Sequence, residues 1–186
     1  MRNVTTVLFD LGGVLIKLGP FSEMMATSPI SDKDIWKGWI QSSSVRCCES
    51  GGCTSQEFAE NMVAEFNLSI NATGFIERFQ QWPKRAYPGA HSLRETLSRK
   101  FRLASLSKTN PTHWEDFLCD QKIMTCFSDV YLSHQKGNLK SEAAAFIHVL
   151  DHLGLSTEAI LFFDDNPMHV SAAEKMGRNA KCTKTP

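Results

Sequence analysis

Short apolar runs alternate with amphipathic stretches through the second half of this chain, and a polar cluster follows each run. Phe101 to Leu106, Phe127 to Leu132 and Ile160 to Phe163 read as buried strands, being short, mostly apolar and without helical spacing. Helices fill the intervals. Pro88-Gly89 marks a turn before a helix over Ala90 to Ser98. Asn110 caps a short helix near Thr112 to Leu118, with Pro111 at its first position. Ser141 caps a helix in which Ala144, Phe146, Ile147 and Leu150 recur until Gly154 stops it. Asn166-Pro167 opens another that Gly177 closes, and Asn179 to Thr183 forms a last short strand. With Val7-Leu8-Phe9 near the start, the alternation predicts an α/β fold: a Rossmann-like parallel sheet with helices on both faces.

The segment from residue 16 to 87 breaks this alternation and shows no convincing strand. It predicts helices instead. Asp32 to Gln41 carries Ile35, Trp36, Trp39 and Ile40 on one face, the capping box Thr54-Ser55-Gln56-Glu57 opens Phe58 to Phe66, and Pro83 ends a helix over Ala72 to Trp82. Trp36, Trp39, Phe75, Phe79 and Trp82 read as packing within this layer. An insertion placed directly after the first strand lies over the crevice like a lid. The expected organisation is a core of residues 1–15 and 88–186 with a small helical cap over 16–87.

The 186 residues suit one domain with a small insertion, and 42% hydrophobic content supports an ordinary core. Lys plus Arg and Asp plus Glu both number 20, so no basic stripe marks a nucleic-acid surface. No apolar stretch is long enough to span a bilayer, and the run before Asp10 is too brief for a secretory signal, so a cytoplasmic setting without membrane or nucleic-acid partners is expected. Cys47, Cys48 and Cys53 lack paired zinc spacing and read as reduced thiols. His148 and His152 stand four apart with no third ligand nearby and read as a surface pair. Oligomeric state is not legible beyond a monomer or weak dimer.

The chemistry lies where the apolar runs stop. In an open parallel sheet the carboxyl ends of the strands share one crevice. That would gather Asp10, the cluster Ser107-Lys108-Thr109-Asn110, Lys140 and the pair Asp164-Asp165. A carboxylate such as Asp10 can attack phosphorus once the charge on the phosphoryl group is neutralised. Gly12 and Gly13 let backbone approach closely, offering a carbonyl to a cation and amides to phosphate. Asp164 and Asp165 suit Mg²⁺, while Ser107, Lys108 and Lys140 can grip phosphate oxygens. Each residue taken alone also fits a commonplace role: a turn aspartate, a helix cap, a turn hydroxyl, a solvated lysine.

Taken together, Phe9-Asp10-Leu11-Gly12-Gly13-Val14-Leu15, Leu106-Ser107-Lys108-Thr109-Asn110, Lys140 and Phe162-Phe163-Asp164-Asp165-Asn166 resemble the four motifs of the haloacid dehalogenase superfamily, in order. The match resembles most the small capped phosphatases, in the sugar-phosphatase-like group that includes the α-glucose-1-phosphate phosphatase. Arg46, Glu49-Ser50-Gly51, Glu57-Phe58 and Pro88-Gly89 also resemble that group. The resemblance implies a Mg²⁺-dependent phosphomonoesterase acting on a small phosphorylated metabolite. In it Asp10 is nucleophile and metal ligand, the Gly12 carbonyl and Asp165 are further ligands, Asp164 is a support, and Ser107 and Lys140 clamp phosphate.

Four positions depart from that pattern. Gly12 stands where the family usually has its acid/base aspartate, Lys108 where it has Asn, Ser141 where it has Pro, and His169 where Asn is common. Losing a general acid costs roughly 10² to 10⁴ in rate unless the leaving oxygen is acidic or another group donates, so a preference for good leaving groups, such as anomeric sugar phosphates, is expected. The alternatives are hydrolysis of a carbon-halogen bond, where the halide needs no proton, and a retired scaffold that only binds.

Overall fold

The computed structural model of the chain describes residues 4–115, 122–140, 142–177 and 179–183. Seven strands are described: β1 (Thr6–Phe9), β2 (Ile16–Leu18), β3 (Pro83–Ala86), β4 (Arg102–Ser107), β5 (Asp129–Leu132), β6 (Ile160–Asp164) and β7 (Asn179–Cys182). Five of them form one parallel sheet in the order β5-β4-β1-β6-β7. Strand β1 is central, with Phe9 opposite Ser105 on one side and Phe163 on the other. All the carboxyl ends therefore lie on one edge, with Asp10 in the middle of it.

The described helices are α1 (Phe21–Met24), α2 (Asp32–Gln41), α3 (Ser43–Glu49), α4 (Ser55–Glu65), α5 (Ala72–Gln80), α6 (Ala90–Ser98), α7 (Pro111–His113), α8 (Ser133–Lys136), α9 (Ala143–Leu153) and α10 (Pro167–Lys175). Successive strand residues point to opposite faces, which divides the core in two. Val7 and Phe9 pack with Leu103, Ile123 and Ala90 of α6. Leu8, Ala104, Leu106 and Phe162 pack on the other face with Phe146 and Val149 of α9 and Val170 and Ala173 of α10. Burial on both faces explains why β1 and β4 read as apolar runs rather than as alternation.

Helix α9 buries Ala145, Phe146, Val149 and Leu153, and leaves Ala144 and Ile147 exposed. The expected stripe was thus one position off. The interval 144–150 fits either register, and Val149 and Leu153 decide between them by extending the stripe a turn further. Likewise α2 buries Ile35 and Trp39, while Trp36 and Ile40 face solvent. Ser141 and the end of the expected Thr112 to Leu118 helix lie outside the described residues, and Glu142 stands at the N-cap of α9.

Residues 16–87 hold two strands that the sequence pattern did not show. β2 and β3 form an antiparallel ribbon, Ile16 opposite Ala86 and Leu18 opposite Pro83, continued by hydrogen bonds from Gly19 N to Trp82 O and Tyr87 N to Leu15 O. Three residues are too few to show a period, and Pro83-Lys84-Arg85 is polar and opens with proline, which a strand paired on one side tolerates. The ribbon takes the chain out of the sheet and returns it at nearly the same place.

Between its two strands the helices build a separate apolar cluster that includes Met25, Ile35, Trp39, Phe58, Met62, Phe66, Phe75 and Phe79. Phe75 and Phe79 stack at 5.8 Å, and Trp39 meets Phe58 edge-on at 6.1 Å. Both halves of the Thr54/Glu57 capping box are formed, which fixes the start of α4. Phe75 is fully buried at the centre of the cluster. Truncation by Phe75→Ala is expected to cost about 3–5 kcal/mol, read as a lower urea midpoint.

Candidate active site

Three carboxylates and one lysine meet at the sheet's carboxyl edge. Lys140, with 1% of its surface exposed, sits between Asp10 and Asp164, its Nζ 2.7 Å from Asp10 Oδ1 and 2.9 Å from Asp164 Oδ2. Asp10 follows β1, Asp164 ends β6, and Lys140 comes from the segment between α8 and α9. One ammonium thus ties together groups far apart in sequence. Ligand oxygens of Asp10, Asp164 and Asp165 lie within 4.8 Å of one another, and the three could hold a metal ion.

The charges do not balance. Burial pushes the Asp10 carboxyl up to about 6; Lys140 opposes this, and Asp164 and Asp165 add to it. Asp165 is also raised, by burial first and then by Asp164. Asp164 goes the other way. Burial works against its charge, but Lys140 and His169 outweigh burial and bring it to about 2. Burial likewise opposes the charge of Lys140, and Asp10 and Asp164 hold its pKa above the ordinary lysine value. Two carboxyls held above their usual range beside one that stays ionised mark a site short of positive charge.

Hydrogen bonding assigns roles within the cluster. Asp164 Oδ1 accepts from Asn166 N at 2.8 Å, Oδ2 accepts from Lys140, and His169 Nδ1 lies 3.1 and 3.2 Å from the two oxygens. With both oxygens engaged, Asp164 is suited to orient its neighbours rather than to bind a metal directly. Asp10 Oδ1 accepts from Lys140 and, at 2.6 Å, from Leu11 N. Its Oδ2 is the oxygen left for chemistry.

The adjacent glycines differ. Gly13 has φ of +75°, and a Cβ there would fall 2.1 Å from Asp165 Oδ2. Its amide donates to Ile16 O at 2.8 Å, so it closes the turn instead of meeting phosphate, contrary to the sequence expectation for Gly13. Gly12 is under no such constraint, since a Cβ there would meet only Leu18, at 3.5 to 3.8 Å.

Ser107 is buried at the end of β4, the strand beside β1. The loop after it is held by Ser133, whose Oγ accepts from Thr109 N and donates to Thr109 O, both at 3.0 Å. Lys108 turns from the core toward the helical layer, and its Nζ lies 3.1 Å from Glu49 Oε1. Burial raises the pKa of Glu49; Lys108, Lys140 and His169 act against that rise. Sequence reasoning did not single out Ser133, and it took Glu49 only as part of a segment that resembles the family's cap. Ser133 sits in an unremarkable Leu-Ser-His stretch, and the Glu49–Lys108 contact joins segments that no local pattern connects. Cys47, Cys48 and Cys53 stand outside the carboxylate group, and His148 and His152 both meet Tyr131 edge-on.

A parallel sheet with an aspartate, a buried lysine and a carboxylate pair at its carboxyl edge defines an α/β protein with an acidic site in the crevice. The chain belongs to the haloacid dehalogenase-like hydrolase family, whose model matches residues 4–177. Among solved structures it is similar to the family enzyme bt-2542 of Bacteroides thetaiotaomicron, at 20% identity and TM-score 0.83 over 98% of this chain and 95% of that one. The complex of that enzyme with magnesium and inorganic phosphate matches at 22% identity and TM-score 0.81, covering 97% and 94%. A HAD-like family hydrolase of Porphyromonas gingivalis matches at 25% identity and TM-score 0.80, covering 97% and 91%. Among the described residues no helix is long and apolar enough to cross a membrane.

The glycine contrast and the Asp10 environment each give an expected outcome. Gly13→Ala should cost on the order of 1–3 kcal/mol in urea denaturation, whereas Gly12→Ala should stay within about 0.5 kcal/mol of the unchanged protein. For Asp10, a folded pKa above the unfolded value means that ionising it opposes folding, by roughly 3 kcal/mol for a rise from 3.8 to about 6. In the metal-free protein Asp10→Asn should therefore raise the urea midpoint at pH 7. Its advantage should shrink toward pH 5, where Asp10 has taken up its proton. An advantage that does not change with pH would contradict this assignment.

Proposed function

We propose that the chain is a Mg²⁺-dependent phosphomonoesterase that hydrolyses a small phosphorylated metabolite through an aspartyl phosphate on Asp10. The observation that carries this reading is the placement of Asp10. Lys140 and Leu11 N hold one of its oxygens while the other is left to attack, in a site whose carboxylates outnumber its cations. Asp10 Oδ2 forms a bond to phosphorus as the bond to the leaving oxygen breaks, and water then hydrolyses the acyl phosphate. Lys140 fixes the attacking carboxylate and meets the charge of the phosphoryl oxygens. Ser107 grips those oxygens from the neighbouring strand end, while Lys108, which the sequence placed beside it, is turned to Glu49.

An all-oxygen donor set short of positive charge fits a hard divalent cation, with Asp10, Asp165 and the Gly12 carbonyl to hold it and Asp164 in support. Bound there, Mg²⁺ would supply the charge that lets an anionic nucleophile approach an anionic phosphate. The magnesium and phosphate carried by the Bacteroides enzyme support the same choice. Residues 1–15 and 88–186 form the chemical core in this reading, and residues 16–87 act as a cap that selects the substrate.

Carbon-halogen hydrolysis on Asp10 is the second reading. It is favoured by Gly12, since a departing halide needs no proton, and a dehalogenase matches this chain at 19% identity and TM-score 0.70. The carboxylate cluster weighs against it, because a displacement without metal has no use for Asp165. The deciding assay is phosphate release from p-nitrophenyl phosphate and a panel of sugar phosphates, beside halide release from a 2-haloacid. Release of phosphate that falls to background with chelator and in Asp10→Asn is expected. Halide release with no phosphate release would reverse the order of the two readings.

A further inference from the structure

We propose that Glu49 is the proton-transfer residue of this site, serving the leaving oxygen and then the attacking water where position 12 offers no side chain. The inference rests on the phosphomonoesterase reading above. Glu49 ends α3 in the helical layer, and its contact with Lys108, the residue after Ser107, brings its carboxyl to the rim of the crevice. Its side chain is only 13% exposed. Lys140 and His169, which bind the Asp10–Asp164 cluster, both act on its charge.

Glu49 is also held in place. Two residues on, Gly51 has φ of +75°, and a Cβ there would fall 2.1 Å from His134 O, so this turn is pressed against the backbone of α8. Arg46, one turn earlier on α3, pairs with Glu142 just beyond Lys140. Burial shifts Glu49 toward holding a proton nearer neutral pH than an ordinary glutamate, and Lys108 limits that shift. Two histidines of this region are committed elsewhere. His169 is spent on Asp164, and His113 lies between Phe79 O and the Asn110 side chain.

Position 12 completes the argument. It has no positive φ, and a Cβ there would lie at ordinary contact distance from Leu18. The turn itself thus does not demand glycine at this position. As Asp10 bonds to phosphorus and the ester P–O bond breaks, the Glu49 carboxyl proton passes to the departing oxygen, which leaves as the alcohol. Water then attacks phosphorus and gives its proton to the Glu49 carboxylate, and the acyl-phosphate bond breaks to return Asp10 and inorganic phosphate. A donor at Glu49 blunts the preference for acidic leaving groups that Gly12 alone would impose.

The test is Glu49→Gln in rapid mixing with p-nitrophenyl phosphate and Mg²⁺, beside steady-state hydrolysis of glycerol phosphate. p-Nitrophenolate leaves without a proton, so the variant should release one equivalent per protein in a burst. Turnover should then slow by roughly 10²-fold, with the phosphorylated protein seen by intact mass. Glycerol phosphate turnover should fall by at least as much, without a burst, and Gly12→Asp added to Glu49→Gln should restore most of it. Burst and turnover falling together without rescue, or neither changing, would overturn the proposal alone. If the unchanged protein releases no p-nitrophenolate, the phosphatase reading falls and this proposal with it.

Discussion

Lys140 stays charged with almost none of its surface in water, which is possible only because Asp10 and Asp164 flank it at 2.7 and 2.9 Å. An unpaired buried ammonium would lose its proton or force the fold open. The ends of β1 and β6 and the start of α9 are therefore bound to one another through a single atom. The same contact makes the site reactive. One lysine cannot neutralise three carboxylates, so the arrangement carries an excess of negative charge that favours a divalent cation. Folding tolerates this excess because the rest of the sheet is buried on both faces and fixes the strand ends regardless.

The helical layer is built on different terms. Its aromatic cluster packs mainly on itself, with Phe79 also meeting the His113 ring of α7 at 4.1 Å, and the β2–β3 ribbon is its covalent path to the sheet. Polar ties reach across at a few points: Glu49 to Lys108, Arg46 to Glu142, Ser55 to Thr112 at 2.7 Å, and His113 to Phe79 O at 2.7 Å. Exposed pairs of the Arg46–Glu142 kind contribute only about 0–1 kcal/mol each. In the proposed reading, a layer with its own core serves as the cap that admits substrate and then excludes water.

Much of this was legible in the sequence, and the reason differs from element to element. The five sheet strands and the capped helices carry strong local signals: apolar runs buried on both faces, Asn110-Pro111, Asn166-Pro167, and a capping box at Thr54. Asp10 and Asp164 could be placed together because a parallel sheet puts every strand's carboxyl end on one edge; Lys140 reaches that edge from the segment between α8 and α9 instead. The ribbon was hidden because neither strand is long enough to show a period. The expectation of Asp165 as ligand and Asp164 as support came from the resemblance alone, since the hydrogen bonds of Lys140, Asn166 and His169 that engage Asp164 leave no local trace in the sequence. Glu49 was legible only as part of a segment that resembles the family's cap, since its contact joins it to a lysine distant in sequence.

Gly12 and Gly13 show most directly what a sequence withholds. Side by side they read as one flexible turn, yet Gly13 is fixed by its positive φ and by Asp165, while Gly12 could carry a side chain. A glycine that the backbone needs says little about reactivity. One that it does not need, beside a nucleophile, marks a place where the chemistry has been rearranged. Moving proton transfer from the turn after β1 to Glu49 moves it from the rigid core to the helical layer. Catalysis would then require that layer to be seated, because the acid arrives with α3 and meets Lys108 of the core. An ester too small to draw the layer down would meet Asp10 without its proton donor. Selection of the substrate and acceleration of its hydrolysis would thereby depend on the same contact.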